Sequence, residues 1–207
     1  MKNKILLLTC FLLPLLYGFM GKFPAGKAPA AALTGATVAD FTLKNVDGNM
    51  LSLKDYPNAK GFIVIFTCIH CPFAKLYSKR FSEMNTKYSA LGVPLIAINS
   101  MDTLVYEDET FERMAKKAAT DKFNFPYLHD PLQVVGKAFG ATYTPQAFVL
   151  WKENGAWVIK YSGGIDDNGE HPAKATSFVA AAVGELLQNK PVSEPETQSP
   201  GCRIYYR

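Results

Sequence analysis

Two cysteines separated by two residues, Cys68-Ile69-His70-Cys71, are the group in this sequence best equipped for chemistry. Vicinal thiols can be oxidised to a disulfide and reduced again by thiolate attack through a mixed disulfide. Their neighbours suggest how they are held. The run Gly61 to Thr67 is continuously apolar, as in a strand buried on both faces. After the pair, Phe73, Tyr77, Phe81, Met84, Tyr88 and Leu91 recur every three or four residues and mark one face of a long helix, with Gly92 where it would stop. The pair therefore falls between a buried strand and a helix N-terminus, where unpaired N–H groups and the helix dipole favour an anion. On this reading Cys68 is the more exposed and more acidic thiol and the nucleophile. Cys71, one turn further in, resolves the mixed disulfide, and His70 adds a donor that stabilises the thiolate.

Two other readings of the spacing compete. A C-x-x-C can be half of a zinc site, but no second cysteine pair or histidine cluster completes four ligands, so no metal and no cofactor is expected. A structural disulfide is the other, although a strand-to-helix turn is a reactive place for one.

The N-terminus bears on the compartment. Lys2 and Lys4 precede an apolar run from Ile5 to Met20, too short to span a bilayer comfortably, and Ala28-Pro29-Ala30 offers small residues for cleavage. Residues 1–30 are expected to be a signal peptide and the start of a linker; an uncleaved anchor is the alternative. Four of the chain's 22 Lys and Arg lie there with no acid, leaving 18 bases against 18 acids. The basic excess thus belongs to the leader, and no nucleic-acid partner is implied. The expected location is periplasmic or otherwise extracytoplasmic, with no membrane association after cleavage. Cys10 would leave with the leader. Cys202 then becomes an odd cysteine in an oxidising compartment, a candidate third redox thiol acting on the pair.

The remaining pattern gives the scaffold. Phe41-Thr42-Leu43 and Met50 to Leu53 flank Asp47-Gly48 as strand, turn and strand. Val93 to Ile98 is a second buried strand, and Asp108 is placed to cap a helix through Phe111, Met114, Ala115 and Ala118. Strands at Ala147–Trp151 and Ala156–Tyr161 join through Asn154-Gly155 as a hairpin, and a last helix spans about Pro172 to Gln188. That order suits an α/β domain with a central mixed sheet and helices on both faces, over residues 31–190. Residues 191–207 form a C-terminal tail, irregular from Pro191 to Gly201. His171 starts a helix, the aromatic residues of the long helix are core, and Asp166-Asp167-Asn168 reads as a solvated turn sooner than as a groove wall.

Phe66 to Lys75, Ala97-Ile98-Asn99-Ser100, Asn124 to Leu128, Thr144-Pro145-Gln146, Gly164 to Asn168 and the ending Gly201-Cys202-Arg203-Ile204 together resemble the peroxiredoxin-like, AhpC/TSA-type redoxin branch of the thioredoxin superfamily. The resemblance covers roughly residues 36–207. It implies a three-layer thioredoxin-like fold, redox activity on protein or small-molecule disulfides and thiols, and a partner that recycles the site. It also implies a cis peptide at Thr144-Pro145 beside the cysteines. A thiol peroxidase is the second activity the resemblance implies. Its peroxidatic position matches Cys71, but the threonine three residues earlier is replaced by Cys68, with Thr67 displaced by one. Copper binding, with His129 as third ligand to the two thiols, is a third reading; the copper chaperones of this fold usually place three residues between the cysteines.

Overall fold

The computed structural model describes residues 34–207, so the leader and Cys10 lie outside the described residues. The strands are β1 (Thr37–Val38), β2 (Thr42–Asn45), β3 (Met50–Ser52), β4 (Gly61–Phe66), β5 (Leu95–Asn99), β6 (Tyr127–His129), β7 (Tyr143–Thr144), β8 (Gln146–Glu153), β9 (Ala156–Gly163) and β10 (Cys202–Arg203). The helices are α1 (Pro72–Ser89), α2 (Phe111–Thr120), α3 (Val134–Phe139) and α4 (Phe178–Leu187). Eight strands form one mixed sheet in the order β1-β9-β8-β4-β5-β6-β2-β3; β4, β5 and β6 run parallel, and β8 is antiparallel to β4. The strand β10 pairs with β7 as a separate two-stranded ribbon.

Alternation along β4 divides the interior. Ile63 and Ile65 face a core built with Tyr77 and Phe81 of α1, Met114 of α2 and Val179 and Val183 of α4. Phe62, Val64 and Phe66 face a second core with Phe139 of α3, Phe148 of β8 and, from the tail, Ile204. All six β4 residues are buried, as a central strand covered on both faces requires. Each large apolar side chain sealed this way contributes about 2 kcal/mol. The result is the expected three-layer α/β arrangement, and its parallel centre points the end of β4 and the start of α1 at one edge.

Several local expectations change. Thr110, not Asp108, caps α2: its Oγ1 accepts from the Arg113 amide at 3.3 Å, while Asp108 pairs with the Arg113 guanidinium at 2.5 Å. The last helix starts at Phe178, because the Ser177 hydroxyl caps it through the Ala180 amide; Pro172–Lys174 is a separate 3₁₀ turn begun by His171. Three elements between α2 and the hairpin, β6, α3 and β7, had no sequence-based expectation, and β6 and β7 are too short to show a period. Phe73 is 45% exposed and Leu91 is also exposed, at either end of the helix face whose middle residues are core.

Candidate active site

The chain leaves β4 at Phe66, Thr67 extends its pairing by donating its N–H to the Ile98 carbonyl at 2.9 Å, and Cys68 follows inside the protein. Cys71 is the residue immediately before α1, with Pro72 as the first helical residue, where a missing N–H costs nothing. Both cysteines are 0% exposed and unbonded to one another. The expected exposure of Cys68 is not met: the tail, the Thr144 loop and the second core close over it.

A cis Thr144–Pro145 peptide stands opposite the pair. Thr144 serves both thiols, its hydroxyl 3.0 Å from Cys68 Sγ and its carbonyl oxygen 3.1 Å from Cys71 Sγ. On the far side of Thr144 runs β10. Cys202 lies opposite Thr144 in the ribbon, and its carbonyl accepts from the Thr144 hydroxyl at 3.4 Å. Cys202 is half-buried, and its thiol and amide adjoin Cys71 Sγ. Three sulfurs thus meet around one threonine, with Cys71 between the other two.

A buried carboxylate that the sequence pattern did not single out organises the other side. Glu109 is 0% exposed and accepts from the backbone amides of Ile69 and His70 at 2.9 Å each, from Asn99 Nδ2 at 2.6 Å and from His70 Nδ1 at 2.5 Å. Placed among Glu107, Asp108 and Thr110, it looks like one more acid before a helix. The contacts also revise His70. Its Nδ1 is spent on Glu109 and its ring stacks on Tyr106, 4.1 Å between centroids, so it braces the loop instead of facing a thiolate.

These surroundings separate the two thiols. Cys71 is held down to about 4, first by the neighbouring Cys68 thiol, then by the Cys202 thiol and the amides of Ala74 in the first helical turn and of Cys202, all against the cost of burial. Burial and the Thr144 carbonyl, which accepts from Cys71 Sγ, favour the protonated form, and the donors around the sulfur outweigh them. Cys68 is pushed up by the shared proton with Cys71, by burial and by the Glu109 charge. Cys202 is pushed up to about 12 by burial and by Cys71. The acidic thiol is therefore Cys71, because the helix starts at Pro72 and the amides closest to Cys68 are already engaged by Glu109.

Other expected residues find different places. Asp166 is buried, accepting from Tyr77 Oη at 2.8 Å and paired with Arg80 at 2.5 Å, so it is an anchor between α1 and the β9–α4 loop, not a solvated turn. Beside it a cleft of about 670 Å³, lined by Phe73, Leu76, Asp167, Glu170, Glu194 and Pro200 among others, opens next to the cysteine loop without including a sulfur. His129 sits on β6 against the Phe111 ring. Among the described residues, the potential metal ligands whose donor atoms lie within 4.8 Å of one another are Cys68, His70 and Glu109, so His129 does not join the thiols. Within that trio Glu109 is already saturated by N–H donors.

Residues 34–167 match the model of the AhpC/TSA family. The chain belongs to that family. A hypothetical protein from Sinorhizobium meliloti 1021 superposes with a TM-score of 0.76 at 31% identity, over 84% of this chain and 94% of that one. A putative peroxiredoxin from Mycobacterium tuberculosis is 24% identical over 168 residues, 79% of this chain and 94% of the relative. An exposed lipoprotein thioredoxin from Streptococcus pneumoniae, at 17% identity and a TM-score of 0.54 over 73% of this chain and 99% of its own, shares the thioredoxin fold. This AhpC/TSA protein is thus a redoxin with the thioredoxin-like architecture expected of its sequence.

Proposed function

We propose that this redoxin is an exported thiol–disulfide oxidoreductase in which Cys71 is the nucleophile and Cys68 the resolving thiol, the reverse of the order first expected. The observation that carries the reading is the acidic Cys71 sulfur at the start of α1 with a second, protonated thiol beside it. The Cys71 thiolate attacks one sulfur of a substrate disulfide, forming a Cys71–substrate mixed disulfide and expelling a thiolate. Cys68 gives its proton to that thiolate and attacks Cys71 Sγ. The second substrate thiol leaves, and a Cys68–Cys71 disulfide remains for a recycling dithiol to reduce. Thr144, touching both sulfurs, holds them in register through this transfer. The substrates are disulfides and thiols of proteins or small molecules; no helix of the described residues is long and apolar enough to cross a membrane.

Reduction of insulin disulfides tests the reading. Cys71→Ser is expected to lower the rate by at least ~100-fold, while Cys68→Ser accumulates mixed disulfides. Full activity in Cys71→Ser overturns the assignment.

One observation favours a second activity, a thiol peroxidase: the acidic sulfur occupies the peroxidatic position of the family. Cys71 would attack a peroxide oxygen, breaking the O–O bond to give a sulfenic acid and an alcohol or water. Cys68 would then condense with it and release water. Consumption of hydrogen peroxide with dithiothreitol present checks this; none in wild type, where insulin reduction proceeds, excludes it.

A further inference from the structure

The cleft beside the cysteine loop takes no part in the exchange itself, yet its walls come from the segments that carry the site. One wall is the first two turns of α1, where Phe73 lies two residues beyond Cys71 and both Phe73 and Leu76 are 45% exposed. The loop of residues 166–170 is the second, held to α1 by the bonds of Asp166 to Tyr77 and Arg80. Residues 194–200, which lead into Cys202, are the third.

That third wall is fixed at both ends. Ser162 donates its N–H to the Pro195 carbonyl at 2.9 Å and accepts from the Thr197 amide at 3.1 Å. A Cβ on Gly163 would collide with Thr197, and one on Gly201 with the Thr144 carbonyl, so glycine lets the segment lie against β9 at one end and against the cysteine site at the other. The Ser199 hydroxyl donates to the Pro145 carbonyl at 2.5 Å, which ties the wall to the cis peptide opposite the pair. At about 670 Å³ the cleft has the size of a ligand-binding site.

Its chemistry selects an occupant. The lining joins three apolar side chains, Phe73, Leu76 and Phe178, to four exposed carboxylates, Asp167, Glu170, Glu194 and Glu196. No Lys, Arg or His lines it, and none of the four acids is in a salt bridge with a described residue. A bare metal ion is a poor match, because it needs several oxygens converging on one point, and among the described residues these acids form no such cluster. A Lys or Arg side chain matches both halves of the lining: its methylene stem covers apolar surface while its charged head reaches a carboxylate.

We propose that this cleft binds a cationic, partly apolar peptide segment of a substrate protein, one in which Lys or Arg adjoins an aromatic or aliphatic side chain, and so selects the disulfides presented to Cys71. The inference rests on the reading of the cysteine pair as an exchange site and names the substrate class of that site. Opposite charge across such a surface acts on specificity and on the rate of encounter more than on raw affinity.

The test compares two acetylated tetrapeptides, Cys-Phe-Lys-Lys and Cys-Phe-Glu-Glu, each as its disulfide-linked dimer, as substrates of the reduced full chain. The same peptides with Ser in place of Cys are titrated into the protein by calorimetry, which reads binding without exchange. The lysine dimer is expected to be reduced with a kcat/KM about tenfold above that of the glutamate dimer at low salt, and the preference to shrink in roughly 0.5 M sodium chloride. In Glu170→Gln/Glu194→Gln, where both exchanged side chains are exposed, the preference should fall to about threefold. Equal binding and equal reduction of the two charge types, or a preference that the double variant leaves unchanged, overturns the proposal. Selective binding of the lysine peptide with no reduction of either dimer rejects the exchange reading instead and leaves the cleft's assignment standing.

Discussion

Cys68 and Cys71 are equally buried, lie within one motif and share Thr144, yet the regions that flank them act in opposite directions. On the Cys68 side the backbone amides of residues 69 and 70 point at a carboxylate and are used up by it, and that charge opposes a second anion nearby. On the Cys71 side the first turn of α1 and the amide of Cys202 remain to face the sulfur. Free backbone amides make an anion site in both regions, in the loop before α1 and in its first turn; what differs is whether an anion already occupies it. A strand-to-helix junction therefore does not by itself designate its first cysteine as the thiolate.

Removing the carboxylate should disturb this asymmetry most. Glu109→Ala leaves buried amides at 69 and 70, and the Asn99 side chain, without their acceptor, and is expected to cost about 3 kcal/mol, read as a shift in the urea midpoint. The milder Glu109→Gln removes the charge while keeping the volume, and it should let the Cys68 thiol fall toward its ordinary range. A Glu109→Ala chain as stable as wild type would mean that the carboxylate does not hold the loop.

A smaller effect is expected from the tail. Gly201→Ala forces β10 away from Thr144 and should cost about 2 kcal/mol; the Cys202 amide and thiol then withdraw from Cys71, whose acidity falls. Unchanged stability and an unchanged Cys71 titration would show that the ribbon contributes nothing to the site.

The scaffold was legible because its signals are long. The β4 run, the 3.6-residue pattern of α1 and the Asn154-Gly155 hairpin each follow from several consecutive residues. The cysteine pair was legible from spacing, and Thr144-Pro145 and the terminal Gly-Cys from resemblance. What stayed hidden is set by contacts between distant segments. Glu109 is 39 residues from His70 in sequence, and nothing local distinguishes it from Glu107. The burial of Asp166 depends on Tyr77 and Arg80 arriving from α1. The order of acidity proposed for the pair depends on both Glu109 and the tail, contacts that a local dipole argument does not contain.

Acidity at Cys71 is the claim from which the rest follows, and the ultraviolet absorbance of the thiolate in the reduced protein measures it directly against pH. A folded value depressed from the ordinary range near 9 to about 4 also fixes the sign of a stability effect. Relative to Cys71→Ser, the extra stability is full above the unfolded value and is lost as pH falls through the window down to about 4. A thiolate signal is expected already at neutral pH in wild type and Cys202→Ser, titrating near 4 in wild type, and absent at neutral pH in Cys71→Ser. A neutral-pH signal that survives in Cys71→Ser and disappears in Cys68→Ser would contradict it.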